Sequence, residues 1–261
     1  MSGIQAPRAG EDDRYHISWE KSTLRRKFAA EAFGEEYPAE ADPSSNCTWS
    51  VLAAMVRGLR MRTGEVLVDL GCGRGGPGLW VARAVSVRLI GVDHSPVGLE
   101  LAAARASHFL LPDRVRFQLG TFDATGLPDA CADGLISMDA LPIAPDRDAA
   151  LREVRRILRP GARAVFTGSD RLPGHPTYTS NVPTWRDRIA RAGLELEIDE
   201  DRAEARRQWQ RWYALWEQHE AQLRAEMGDE AAEAMLEEAR FVGPLLPHMR
   251  LGLFTVRAPL C

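Results

Sequence analysis

The sequence predicts an α/β fold: a doubly wound, mostly parallel seven-stranded sheet with an N-terminal helical extension and a helical insertion before the last strand. Three observations carry this expectation. Short β-branched-rich runs alternate with segments of helical period from residue 65 onward, and parallel strands joined by helices bury both faces of a sheet. A glycine cluster, Gly71-Cys72-Gly73-Arg74-Gly75-Gly76, follows directly on the first run, at the carboxyl end of a strand, where such sheets receive ligands. Acidic residues, Asp69 and Asp93, close the first two runs.

In chain order, residues 19–33 and 48–59 read as helices, separated by Tyr37-Pro38 and Asp42-Pro43-Ser44-Ser45. Val66-Leu67-Val68 is the first strand, followed by a helix over 79–85, and residues 88–93 form the second strand. Ser95 then reads as an N-cap and Pro96 as the first helical residue of a helix over 97–107. Residues 115–119 and 134–138 make strands three and four. Asp146 opens a helix whose Leu151, Val154, Ile157 and Leu158 keep a 3.6-residue period, ended by Pro160-Gly161. Strand five covers 162–167, a helix 183–192, and strand six 194–198. Helical segments over 201–227 and 229–241 precede a last strand at 251–257. The expected organisation is a helical cap over 1–60 and a core over 61–261, with the insertion at about 200–248.

Composition excludes several classes. Hydrophobic residues are 45% and charged residues 27%, ordinary for a folded globule rather than a disordered chain. The 33 basic and 37 acidic residues give a net charge of -4, and the arginines alternate with Glu and Asp instead of forming a basic block. A nucleic-acid partner is therefore not expected. No apolar run approaches the ~18 residues of a membrane span, and the first fifteen residues lack the apolar centre of a signal peptide. Cys47, Cys72, Cys131 and Cys261 are scattered without a metal-binding spacing. A cytoplasmic protein with reduced thiols and no metal is expected. Only Lys21 and Lys27 are lysines, an arginine bias of the kind seen in GC-rich bacterial genomes.

The segment Val68-Asp69-Leu70-Gly71-Cys72-Gly73-Arg74-Gly75-Gly76 carries the chemistry. Gly71, Gly73 and Gly76 also satisfy a dinucleotide pattern, so the glycines alone admit two cofactors. Asp69 separates them: a carboxylate at the loop repels a pyrophosphate but favours a ligand bearing an ammonium and a sulfonium. Asp93 fits a ribose diol in either reading.

With these residues the chain resembles the class I S-adenosylmethionine-dependent methyltransferases over about residues 65–167. Asp69-Leu70-Gly71-Cys72-Gly73-Arg74-Gly75 is similar to the family's loop for the methionine part of S-adenosylmethionine. Gly91-Val92-Asp93-His94-Ser95 resembles the second motif, which implies Asp93 on the ribose hydroxyls and His94 beside the adenine. Asp123-Ala124-Thr125-Gly126-Leu127-Pro128 is similar to a segment that implies Asp123 and Ala124 on the adenine. Met138 stands where the family approaches the methionine part. The likeness is to the branch acting on quinone precursors and bacterial natural products, so a small-molecule acceptor is implied, in bacterial secondary metabolism. Leu141-Pro142-Ile143 stands where base-modifying relatives carry an Asn/Asp-Pro-Pro segment.

For a hydroxyl acceptor a base near the methyl group contributes typically 10²–10⁴-fold. The candidates are Asp139 after strand four, His175 after strand five, and His16 beside Tyr15 in the N-terminal extension. Trp209, Trp212, Tyr213 and Trp216 form one aromatic stripe on the insertion. It reads either as a packing face for the N-terminal helices or as the wall of a site for a bulky, partly apolar acceptor. Three functions stay open: a small-molecule methyltransferase, a nicotinamide oxidoreductase, and a cyclase or binding protein of methyltransferase fold that holds the cofactor without methyl transfer.

Overall fold

The computed structural model describes residues 11–260; Cys261 lies outside them. Seven strands, β1 (Val66–Leu70), β2 (Arg88–Asp93), β3 (Val115–Leu119), β4 (Ala132–Ser137), β5 (Leu158–Arg171), β6 (Glu195–Asp201) and β7 (Met249–Arg257), form one sheet. Its order is β3-β2-β1-β4-β5-β7-β6. The first five run parallel, while β7 is antiparallel to both β5 and β6. Strand order reverses at β1 and β4, which places the ligand-binding crevice at their carboxyl ends. The expected doubly wound sheet is the observed one.

Alternation along the strands sends successive residues to opposite faces. Val68 and Leu70 of β1 join Ile90, Leu135 and Phe166 in a core closed by α6 (Arg147–Ile157) and α7 (Trp185–Arg191). Leu67 points the other way, into a core with Ile136 and Val165 that is covered by α3 (Trp49–Leu59) and α4 (Gly76–Ala84). A third core sits apart from the sheet. There α1 (Glu11–Lys21) and α2 (Thr23–Phe33) meet the insertion helices α8 (Ala203–Gln218), α9 (Glu220–Met227) and α10 (Asp229–Val242). Thus α3, within the expected N-terminal cap, packs on the sheet, whereas α1 and α2 pack on the insertion. No helix among the described residues is long and apolar enough to cross a membrane.

Local signals set most boundaries. The Ser95 hydroxyl accepts the Gly98 N–H at 2.9 Å and Pro96 opens α5 (Pro96–Ala106). Asp146 caps α6 through the N–H groups of Asp148 and Ala149. Three elements depart from the expected ones. The helix expected over 19–33 is two helices, because the Ser22 side chain accepts the Arg25 N–H and starts a new helix. The helix expected over 201–227 breaks at His219, whose φ of −112° and ψ of 24° leave the helical region. β5 exceeds the expected 162–167 at both ends: it begins at Leu158, which pairs with Ala132 of β4 instead of continuing the helix to Pro160-Gly161, and it reaches Arg171 because Gly168 to Arg171 pair with Gly252 to Met249 on β7; residues 168–171 show no apolar alternation, so that extension has no local signature.

The aromatic stripe of α8 is resolved by its neighbours. Trp212 is 2% exposed and packs edge-on against both Trp19 and Phe33, at ring-centroid distances of 5.7 and 5.2 Å. Trp216, equally buried, meets Trp212 at 5.0 Å. Trp209 is half-buried. Such aromatic contacts add about 0.5–1.5 kcal/mol each beyond their area burial. We expect Trp212→Ala to destabilise the chain by about 3–5 kcal/mol, seen as a lower chemical-denaturation midpoint, and Trp209→Ala to cost much less.

Candidate functional site

The carboxyl ends of β1, β2 and β4 open into a cavity of about 420 Å³, lined on one side by Gly71, Gly73 and Asp93 and on the other by Trp209, Tyr213 and Glu238. A second cavity of about 210 Å³ shares Gly71, Asp93, His94 and Phe122 with it and adds Thr121 and Asp123. The two adjoin along these shared residues, and the larger is within the ~300–1,000 Å³ typical of small-molecule sites.

The loop between β1 and α4 is built around two carboxylates. Asp93 accepts the Gly73 N–H at 2.7 Å through one oxygen and the Ser95 N–H at 2.9 Å through the other. It therefore holds the glycine loop and the start of α5 against each other. Asp69 is 2% exposed and turns toward α4, accepting the Gly78 N–H. A side chain at Gly78 would have its Cβ 2.2 Å from Asp69 Oδ2, so only glycine fits there. Burial pushes the Asp69 carboxyl up to about 7, with the Asp93 charge adding to the rise and the Gly78 N–H opposing it. Asp69 lines the cavity, with its carboxylate turned toward Gly78 of α4.

The N-terminal helix lies across this loop. The His16 ring rests on Gly73, where a Cβ would come within 2.9 Å of Cε1, and Gly73 itself has φ +48°. Arg74, 3% exposed, reaches Glu20 of α1 at 2.6 Å and Asp42 at 2.9 Å. Its charge is thus spent on pairing the loop with the cap. The Ser95 hydroxyl donates to Asp13. Cys72 is buried beside Gly91 and burial raises its thiol well above the usual range.

At the end of β4, Met138 is buried and lines the cavity. Asp139 beside it has φ +52° and both oxygens engaged. Oδ2 accepts the Asn46 N–H at 2.9 Å, Oδ1 accepts the Thr167 hydroxyl at 2.8 Å, and Arg202 lies 3.8 Å from Oδ1. The Asp139 N–H in turn donates to Thr167 Oγ1. Arg202 also donates to Asn46 Oδ1 at 2.9 Å.

The structure therefore gathers Asp69, Gly71, Cys72, Gly73, Arg74, Asp93, His94, Met138, Asp139 and His16 around one crevice. Asp123 lies on its second lobe, exposed, accepting the Thr121 hydroxyl at 2.8 Å. Ala124 is exposed beside it and exchanges backbone hydrogen bonds with Thr121. His175 does not reach the cavity; it is half-buried on the loop after β5, with Nδ1 toward Thr177. Sequence reasoning missed Glu238 and Arg202. Neither sits in a motif, and only the fold of the insertion brings them to β4.

Residues 68–166 match the family model described as a methyltransferase domain. The chain is 34% identical over 131 residues to the methyltransferase GfsG of Streptomyces halstedii, covering 49% of this chain and 46% of that protein. It is 36% identical over 108 residues to the 27-O-demethylrifamycin SV methyltransferase of Amycolatopsis mediterranei (strain S699), covering 41% and 40% respectively. The chain thus spans less than half the length of these curated relatives. Among solved structures, that of the cyclase SpnF matches 100% of both chains with a TM-score of 0.73 at 22% identity, a likeness of fold.

The Asp69 environment gives a signed pH dependence. Its folded value near 7 lies above the ordinary 3.8, so its contribution to stability is complete below about pH 4 and is lost as pH rises through about 7. Unfolding free energies of the native chain and Asp69→Asn, compared between pH 4 and 8, are expected to diverge by on the order of 2–4 kcal/mol, with the native chain losing stability.

Proposed function

From the premise that residues 68–166 form a class I S-adenosylmethionine-dependent methyltransferase domain, we propose that the chain methylates a bulky, largely apolar small molecule. The observation that carries this is the single cavity joining the glycine loop and Asp93 to the aromatic wall of α8. The relative named a 27-O-demethylrifamycin SV methyltransferase supports a small-molecule acceptor, and a role in bacterial secondary metabolism is part of the proposal.

The residues fit the cofactor. Gly71, Cys72, Gly73 and Arg74 would receive the methionine part, Asp93 the ribose, and His94, Asp123 and Ala124 the adenine side. Met138 marks the methyl end. Bound there, S-adenosylmethionine supplies a methyl group on a sulfonium, transferred by a single in-line displacement. The protein's part is alignment and removal of water. The cap of α1, α2 and α8–α10 closes the cavity from above, and Trp209 with Tyr213 gives the acceptor an apolar seat. His16 lies against the glycine loop and shields the cofactor side from water. Asp139 acts as a clamp that fixes Met138, since its oxygens are occupied.

A second reading, a cyclase or binding protein that retains the cofactor without methyl transfer, is favoured by that same occupancy of Asp139. Adenosylhomocysteine formation in the presence of candidate acceptors separates the two: accumulation supports methyl transfer, and acceptor conversion without it supports a cyclase.

Two mutations test the assignment. Asp93→Ala is expected to weaken S-adenosylmethionine binding about tenfold or more, the loss of a charge-assisted hydrogen bond, measured by calorimetry alongside the melting temperature because Asp93 also holds Gly73 and Ser95. Asp139→Asn is expected to lower the melting temperature and to leave kcat within a few-fold; a kcat loss of ~10²-fold or more at unchanged stability would return the base role to Asp139.

A further inference from the structure

The half of the cavity facing the insertion is largely apolar, with Arg202, Tyr213 and Glu238 among its polar groups. Trp209, Trp212, Trp216, Val242 and Leu251 line it, and Glu238 of α10 projects among them. Glu238 lines the cavity and is solvent-exposed, while the surrounding protein still desolvates its carboxyl. The Tyr213 hydroxyl donates to its Oε1 at 2.8 Å. Among the described residues Oε2 has no hydrogen-bond partner. In this it differs from Asp93 and Asp139, whose oxygens are all engaged.

We propose that Glu238, oriented by Tyr213, positions the acceptor, and that the group it receives is a neutral hydroxyl on an otherwise apolar molecule. The inference rests on the reading above that this cavity holds an acceptor. Charge decides among ligands. Arg25 is fully buried, its guanidinium 4.4 Å from the Trp19 ring and 4.8 Å from the Tyr15 ring, and its charge acts on Glu238. Glu238 and Arg25 carry opposite charges, as do Asp139 and Arg202, which also line the cavity. An ammonium acceptor would add a second buried positive charge beside Arg25, and a carboxylate would face Glu238; both are costly away from water. A hydroxyl donates to Oε2 and leaves the balance intact, and the free oxygen would otherwise lose its hydration when an apolar body fills the cavity. Burial also raises the Glu238 carboxyl above its ordinary range, with the Tyr213 hydroxyl and the Arg25 charge opposing.

The test uses the full chain saturated with S-adenosylhomocysteine and four probes that share one rigid apolar body: 1-adamantanemethanol, its methyl ether, 1-adamantanemethylamine and 1-adamantanecarboxylate. By calorimetry the alcohol is expected to bind about tenfold tighter than the other three, the equivalent of one hydrogen bond to a charged group. In Glu238→Leu the alcohol and ether should fall within about twofold of each other while S-adenosylhomocysteine affinity is unchanged. Glu238→Gln, which keeps the shape and an acceptor oxygen, serves where the leucine variant does not fold and should retain a reduced preference. Tyr213→Phe should weaken the preference without abolishing it. A preference that survives Glu238→Leu, tightest binding of the amine or carboxylate, or binding of none of the four overturns the proposal. Failure of S-adenosylhomocysteine to bind the native chain would instead count against the methyltransferase reading, and the four probes titrated alone would still decide the role of Glu238.

Discussion

The geometry of the crevice depends on one carboxylate. Asp139, at the carboxyl end of β4, is joined to the Asn46 backbone, the Thr167 hydroxyl of β5 and Arg202 at the start of the insertion. These partners come from the N-terminal segment, the sheet and the insertion, so one side chain joins all three. Asp139 sits in the left-handed region, which costs a non-glycine residue of order 1 kcal/mol or more and persists only where surroundings over-determine it. The surroundings here are its own three partners. Asp139, a candidate base by its place after strand four, thus also joins cap, sheet and insertion.

Buried charge elsewhere follows the same logic of short-range compensation. Arg74, almost wholly buried, is met by Glu20 and Asp42; Glu153, 7% exposed, is met by Arg156 and the Thr125 hydroxyl. Pairing of this kind is close to neutral for stability, whereas removing one partner is expensive. It therefore acts mainly to specify arrangement. Arg74 ties α1 to the glycine loop more by forbidding alternatives than by adding net free energy.

What was legible in the sequence was local. The Ser95–Pro96 helix start, the Asp146 cap and the turn from Asp69 into the glycines are each specified within a few residues, and each stands where expected. The glycine-loop side of the crevice is made of such segments. The side facing the insertion is not. Asp139 and Asn46 are 93 residues apart in the chain, and Tyr213 and Glu238 meet across two helices of the insertion. Nothing in the run Leu236-Glu237-Glu238-Ala239 distinguishes a carboxylate in a cavity from one in water. The helical period places Met235, Leu236 and Ala239 inward, but whether the residue between them meets solvent or a chamber depends on what lies opposite. The stripe on α8 showed the same limit, because packing face and cavity wall have one sequence pattern and here Trp212 and Trp216 are both.

That double duty bears on how such a site can change. A residue that is wall alone is free to vary, and selection or design can trade it for another shape. Trp212 also wedges between Trp19 and Phe33, so any substitution that remodels the chamber there loosens the cap at the same time. The shape of the chamber is altered at lower cost through Trp209 and Val242, both only half-buried, than through Trp212.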